Sequence, residues 1–395
     1  MTTDLVRPET ACPACLSDSV RVFYEMRGAP VNSVRLLTSR SEALNFSTGD
    51  VRLAFCDGCG FVFNAAFDRE LVEYSPACEE TQGFSPFFSE WQRNLARRLV
   101  ERYSLYDKQI VEVGCGKGEF LALLCELGGN NGVGYDPAYV PGRIHCADRI
   151  RFVREFYDDR CTSDGDFLCC KMTLEHISDP LNFIGMIRAS LRNLAGTAIF
   201  CQVPNIARIL SGQAFWDIYY EHCSYFSLGS LIRLFRRAAF KMLAAGREYG
   251  DQYVTVEAWA GEATQNNLSE EDDLEDLKLM IESFARKVPG RIDEWRKRLA
   301  SFRDKHLKVV IWGGGSKGVS FLSTVDVAGA VEYAVDINPH MKGHYLARSG
   351  VEIVSPSALC EYRPDVVIIM NPLYESEISG QLSALRLYPE VICVS

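Results

Sequence analysis

A chain of 395 residues is too long for one ordinary core, so two or three domains are expected. The composition, 47% hydrophobic and 24% charged, is that of a globular protein, and a net charge of −10 excludes a dedicated nucleic-acid binder, which needs clustered Lys and Arg. No apolar run is long enough to span a membrane, and "MTTDLVRPET" has no apolar signal core, so the expected location is the cytoplasm. Fifteen cysteines in a chain of this size read as thiols, apart from any that hold a metal.

Two C-x-x-C pairs come first, Cys12 and Cys15 in "CPAC" and Cys56 and Cys59 in "CDGCG". Each sits on a tight turn with Pro or Gly, and the second runs into the strand-like "FVFN". Four thiolates on two knuckles suit tetrahedral zinc, and a closed four-cysteine shell is structural. The stretch between them, "VNSVRLLTSRSEALNFSTGD", is expected to form a loop or hairpin. A redox role fits less well, because neither pair follows a strand and opens a helix.

"QIVEVGCGKGEFLALLCELG" then gives an apolar strand, the turn glycines Gly114, Gly116 and Gly118, and an amphipathic helix. The glycines allow a sharp turn and close approach to a ligand. About twenty residues on, "NGVGYDPAY" is a second strand ending at Asp136, whose carboxylate can accept both hydroxyls of a ribose. Sites for NAD, FAD and S-adenosylmethionine all use such a turn. Here Glu112 stands two positions before the first glycine, and E-x-G-x-G-x-G resembles the first motif of class I methyltransferases. That resemblance implies that the acid positions the methionine end of S-adenosylmethionine. "FVREFYDD" and "GDFLCCKMTLEHISDP" look like the same fold's third strand, fourth strand and following loop, extending the likeness from Arg93 to Ala260.

His176 lies in that last loop. Further on, "DIYYEHCSYFS" packs four aromatic rings, a glutamate and a histidine into Asp217–Ser227, with neither helical period nor strand alternation. In an open α/β sheet, ligands sit beyond the carboxyl ends of the strands, so both stretches can face a transferable methyl group. Methylating a carbon beside a carbonyl needs a base and donors that hold an enolate, and His, Glu and Tyr suit that work. The competing reading is aromatic packing under a lid, with His222 a satisfied core histidine.

A charged stretch from Glu270 to Phe302 reads as a long amphipathic linker helix with a solvated face, broken near Pro289-Gly290. "LKVVIWGGGSKGVSFLSTV" follows, with Gly313, Gly315 and Gly318 in G-x-G-x-x-G spacing, and "YAVDINP" supplies Asp336 as a candidate ribose acid. Taken alone this is an NAD site. Backbone N–H groups at a helix N-terminus suit any pyrophosphate, and Ser316 and Lys317 add a hydroxyl and a charge.

Taken in order, a four-cysteine module, a methyltransferase fold, a Tyr-x-Glu-His segment and a C-terminal Rossmann-like domain resemble the sugar C-methyltransferases of deoxysugar biosynthesis. These methylate C-3 of a nucleotide-linked 4-keto-6-deoxy sugar, and the likeness covers nearly the whole chain. It implies that His222 is the base, accompanied by Glu221 and Tyr219, with His176 and Tyr74 beside them. It also implies that the C-terminal turn binds the substrate's nucleotide instead of a redox cofactor.

The expected architecture is α/β: a small zinc-binding module over residues 1–73, a class I methyltransferase domain over 74–262, and a linker helix with a second Rossmann-like domain over 263–395. S-adenosylmethionine and structural zinc are the expected cofactors, a nucleotide sugar the expected partner, and the oligomeric state a monomer or small homo-oligomer. The alternatives are a nicotinamide-dependent oxidoreductase using the C-terminal turn and a non-catalytic sugar-nucleotide-binding protein.

Overall fold

A computed structural model describes residues 11–144, 148–192, 196–261 and 268–394. The two cysteine knuckles meet because the strands beside them pair. β1 (Val20–Pro30) runs antiparallel to β2 (Thr48–Cys56), with Val20 opposite Cys56. Between them the hairpin carries one short helix, α1 (Arg40–Leu44), capped by Ser39 on the Glu42 N–H. β3 (Val62–Asn64) pairs with the other edge of β2.

The central region opens with α2 (Pro86–Tyr103), β4 (Gln109–Val113), α3 (Glu119–Gly128) and β5 (Asn131–Tyr135). It continues through β6 (Ile150–Val153), β7 (Phe167–Lys171), α4 (Pro180–Ser190), β8 (Ala198–Pro204) and α5 (Ile206–Ser211). β9 (Ser224–Tyr225), α6 (Leu228–Arg237), β10 (Lys241–Glu248) and β11 (Tyr253–Trp259) complete it. The seven-stranded sheet has the order β10-β11-β8-β7-β4-β5-β6, with β11 antiparallel to both of its neighbours. β7 and β8 are apolar almost throughout because helices cover both faces. The chain leaves β4 toward β5 and β6 and then crosses back to β7, so the order reverses between β4 and β7, where such sheets bind ligands. The strand expected at "FVREFYDD" ends at Val153, and Phe156 and Tyr157 beyond it line a cavity instead.

β9 does not join this sheet. It pairs antiparallel with β3, Val62 opposite Tyr225 and Phe63 opposite Ser224, so the aromatic segment supplies a fourth strand to the N-terminal sheet.

α7 (Leu274–Asp304) runs unbroken through Pro289, contrary to the expected break. A proline inside a helix costs about 3 kcal/mol. One face of α7 buries Leu277, Ile281, Phe284, Val288, Trp295 and Leu299, and the Phe284 ring packs edge-on against Phe23 and Tyr24 of β1. At about 1.5–3 kcal/mol per buried side chain, that face outweighs the proline. A parallel five-stranded sheet follows, in the order β14-β13-β12-β15-β16. Its strands are β12 (Val309–Trp312), β13 (Tyr333–Val335), β14 (Glu352–Val354), β15 (Val366–Ile369) and β16 (Glu390–Cys393), with α8 (Ser316–Val325) after the first.

Candidate active site

A cavity of about 770 Å³ lies at the β4–β7 reversal, in the upper half of the usual range for small-molecule sites. Asn32 and Val34 from the N-terminal hairpin line it, as do both glycine turns and the His176 and His222 loops.

At the central turn, Gly114, Gly116 and Gly118 all have positive φ (70°, 53° and 86°), which other residues rarely adopt. A Cβ on Gly114 would lie 1.9 Å from Thr173 Oγ1. Asp136 Oδ2 accepts the Gly116 N–H at 2.8 Å, and Oδ1 accepts the Ala138 N–H at 2.7 Å. Glu112 is 2% exposed, its Oε2 has no partner, and burial pushes its carboxyl up to about 8. Two residues missing from the sequence reading complete this end. Lys117 is buried and donates to the Cys78 and Ala138 carbonyls at 2.8 and 3.0 Å, with Glu80 Oε2 at 3.3 Å. Glu80 in turn leans over Gly116, and desolvation raises its carboxyl to about 7. A sulfonium cofactor fits these residues. It would meet a buried acid with one oxygen unpartnered and a turn of three glycines.

The expected catalytic residues share the next stretch of wall. His176 sits on a 3₁₀ turn (Leu174–His176) after β7, and its Nδ1 lies 3.0 Å from the Glu221 carbonyl oxygen. A carbonyl can only accept, so Nδ1 carries the proton and Nε2 a free lone pair. The Tyr74 hydroxyl is 3.0 Å from the same Nδ1. The His222 ring stands edge-on to His176 at 4.8 Å and to Tyr219 at 4.7 Å. Burial lowers both imidazoles, His176 to about 4 and His222 well below its ordinary value, so both are neutral at pH 7.

Packing accounts for much of the aromatic segment. Tyr220 is held by Asp68, whose N–H and carbonyl both meet its hydroxyl, and Tyr225 bonds the Tyr219 backbone. From Asp217 to Ser227 every residue is buried except His222. Glu221 does not reach an imidazole with its carboxylate. Its Oε1 accepts the Ser33 N–H at 2.8 Å and the Ser33 hydroxyl, while Oε2 has no partner. Tyr219 donates to Asp217 Oδ1 at 2.9 Å. Glu175 was also missed. Its carboxyl oxygens are buried without partners, one lies within 4.8 Å of nitrogens of both histidines, and desolvation raises it to about 8. The only sequence signal for it was its place beside His176 in "LEH".

At the C-terminal turn, Asp336 Oδ2 accepts the Gly314 N–H at 2.8 Å. A Cβ on Gly318 would lie 2.4 Å from the Gly313 carbonyl oxygen, so this glycine lets helix and turn pack. Gly315 and Ser316 face the cavity. Lys317 is ion-paired with Asp217, and Ser320 donates to the Ile218 carbonyl at 2.8 Å, so α8 buttresses the aromatic segment.

The Sγ atoms of Cys12, Cys15, Cys56 and Cys59 all lie within 4.8 Å of one another. Cys12–Cys59 is 3.7 Å and Cys15–Cys56 is 3.5 Å. A zinc tetrahedron with bonds of about 2.3 Å has edges of about 3.8 Å, so the donor set fits zinc. Thiol hydrogen bonds, that from Cys12 foremost, draw the Cys56 thiol well below its ordinary value.

Two family models match the chain: a methyltransferase domain over residues 88–245 and a C-methyltransferase C-terminal domain over residues 253–388. With the sheet order, the first match defines a methyltransferase domain of the class I fold. The second match adds a C-methyltransferase C-terminal domain, so the chain carries both regions in that order. The C-methyltransferase NovU of Streptomyces niveus is 30% identical over 160 residues. That stretch covers 38% of this chain and 37% of NovU, little more than a third of the relative's length. Among solved structures, a SAM-dependent methyltransferase from Aquifex aeolicus matches at 14% identity and a TM-score of 0.36, over 45% of this chain and 94% of its own. The 1,6-didemethyltoxoflavin-N1-methyltransferase of Burkholderia thailandensis matches at 16% identity and a TM-score of 0.34, over 46% and 83% respectively. No described helix is long and apolar enough to cross a membrane.

Proposed function

We propose that the protein methylates a carbon next to a ketone on a nucleotide-linked keto sugar. S-adenosylmethionine, bound at Glu112, Gly114, Gly116 and Asp136, supplies the methyl group. His222 removes the carbon-bound proton, and the Tyr74–His176 pair steadies the resulting enolate. Glu221 and Tyr219 act through position: one fixes the segment to Ser33, the other to Asp217. Gly313, Gly315 and Ser316 take the nucleotide end, while Lys317 keeps the segment in place. The four cysteines hold a structural zinc that supports β3, the partner of β9. The observation that carries this reading is a neutral imidazole, His222, in an otherwise buried segment, lining the same cavity as the Gly114–Gly118 turn.

The test is mass spectrometry of products from a panel of keto-sugar nucleotides with S-adenosylmethionine. A gain of one methylene unit on a carbon supports the reading, and transfer to oxygen or to no keto sugar overturns it. The likeness to NovU makes deoxysugar nucleotides the first of the panel to try.

A further inference from the structure

The face of the central sheet that packs on α2 and α3 carries an acid and an amine at the cofactor end of the cavity. Glu112 on β4 is one, buried with Oε2 unpartnered. Lys171, the last residue of β7, is the other. Its ammonium makes no hydrogen bond or ion pair among the described residues, and it rests over the Phe88 and Phe120 rings at 5.8 and 5.4 Å. Both residues line the cavity. Each is also the other's strongest charged neighbour.

Register fixes their spacing. Glu112 lies opposite Cys169 in the parallel β4–β7 pair, and Lys171 is two residues further along the same face. That is ~6.6 Å along the strand and ~4.8 Å across, or about 8 Å between Cα atoms. Two long side chains rooted at that distance leave room between their ends for a small group.

A lone anion between them would sit against Glu112, and a lone cation against Lys171. A zwitterion satisfies both, and the amino-acid end of the cofactor is one. We propose that Lys171 and Glu112 form a two-ended clamp for the methionine moiety of S-adenosylmethionine, Lys171 taking its carboxylate and Glu112 its ammonium. This rests on the central turn being the cofactor site. It adds Lys171, which belongs to no glycine motif, and it fixes the direction in which the cofactor lies. The amino-acid end points toward α2, leaving the far side of the turn, toward Asp136, for the ribose.

Calorimetry with S-adenosylhomocysteine and its decarboxylated analogue, in which hydrogen replaces the carboxylate, tests the clamp by binding alone. The wild-type chain should prefer S-adenosylhomocysteine by about 10- to 100-fold, the usual worth of a charge-assisted contact. Lys171→Met should lose about that factor for S-adenosylhomocysteine and bind the analogue as the wild type does. Equal binding of the two ligands by the wild type, or an equal loss of both in a folded Lys171→Met chain, overturns the clamp. Should that variant not fold, the wild-type preference decides. A wild type that binds neither ligand overturns the cofactor reading and the clamp with it, an outcome distinct from equal binding.

Discussion

Asp136 accepts the Gly116 and Ala138 N–H groups at 2.8 and 2.7 Å; Asp336, in the C-terminal sheet, accepts those of Gly314 and Asn338 at 2.8 Å each. The two glycine turns thus share one skeleton, with an acid from the neighbouring strand tying the turn down. Their surroundings differ. Two positions before the first glycine stands Glu112 in one and Ile311 in the other. The lysine of the first, Lys117, points down onto carbonyls of its own region, whereas Lys317 crosses to Asp217 of the aromatic segment. A strand-end aspartate is therefore first a turn-former, and the neighbouring charges decide which ligand the turn suits. The central turn has an acid for a cation. The C-terminal turn has Ile311 in that place, and its lysine braces the aromatic segment.

The two turns also share a strap. Glu80 reaches Lys117 at the first, while Glu79 is ion-paired with Arg143 and accepts from Asn338 at the second, at 3.0 Å. Tyr74, a few residues earlier, touches His176. The stretch from Tyr74 to Glu80 thus connects both turns and the His176 loop.

The sharpest way to separate chemistry from either turn is His222→Ala. It should lower kcat by about 10²–10⁴, the contribution of a positioned base, while both turns keep their ligand affinities. Hydrogen exchange in D₂O without methyl transfer isolates the step. Normal exchange and turnover in the variant would return the segment to packing.

Next in size is Lys317→Met. It leaves Asp217, 7% exposed, with the Tyr219 hydroxyl and, as a cation, Arg208 at 3.9 Å, and breaking such a pair costs about 3 kcal/mol. Urea unfolding should show that loss, and adding Asp217→Asn should recover part of it. If Lys317→Met is as stable as the wild type and weakens only nucleotide binding, the lysine serves the ligand and the contrast between the turns fails.

These contrasts show what sequence could and could not reveal. Cys12, Cys15, Cys56 and Cys59 were legible because C-x-x-C spacing is local, and the central fold because strand, turn and helix follow each other in short order. Glu221's bond to Ser33 spans 188 positions, and the pairing of β9 with β3 joins regions expected to be separate domains. Neither leaves a periodic trace. Pro289 misled because its cost is local, while the burial that outweighs it is not. The motif alone suggests a phosphate for Lys317, and only the fold brings Asp217 to it as well.

A smaller effect compares the two aspartates directly. Asp136→Ala should weaken S-adenosylhomocysteine by about 1–3 kcal/mol, through the ribose contact and the loosened Gly116 turn. Asp336→Ala should leave that affinity unchanged. Calorimetry on both variants decides it, and equal losses would mean that the two turns are not independent sites.

The smallest predicted signal is a proton. Glu112 is raised from an ordinary 4.5 to about 8, chiefly by burial. Lys171 of β7 opposes that shift, and Asp136 and Glu119 add to it. The folded pKa lies above the unfolded one, so this group's contribution to stability is full below pH 4.5 and is lost as pH rises through about 8. A cationic cofactor reverses the preference, because it favours the carboxylate. Binding at pH 7 should then release close to one proton from Glu112, and affinity should tighten with rising pH until about 8 and level off above it. Titrations in two buffers of different ionisation enthalpy read the released proton directly. Glu112→Gln should abolish the release. A nucleoside diphosphate bound at the C-terminal turn should release none from the equivalent position, because Ile311 has no proton to give. Equal proton counts for the two ligands would show that the acid before the first glycine does not distinguish the turns.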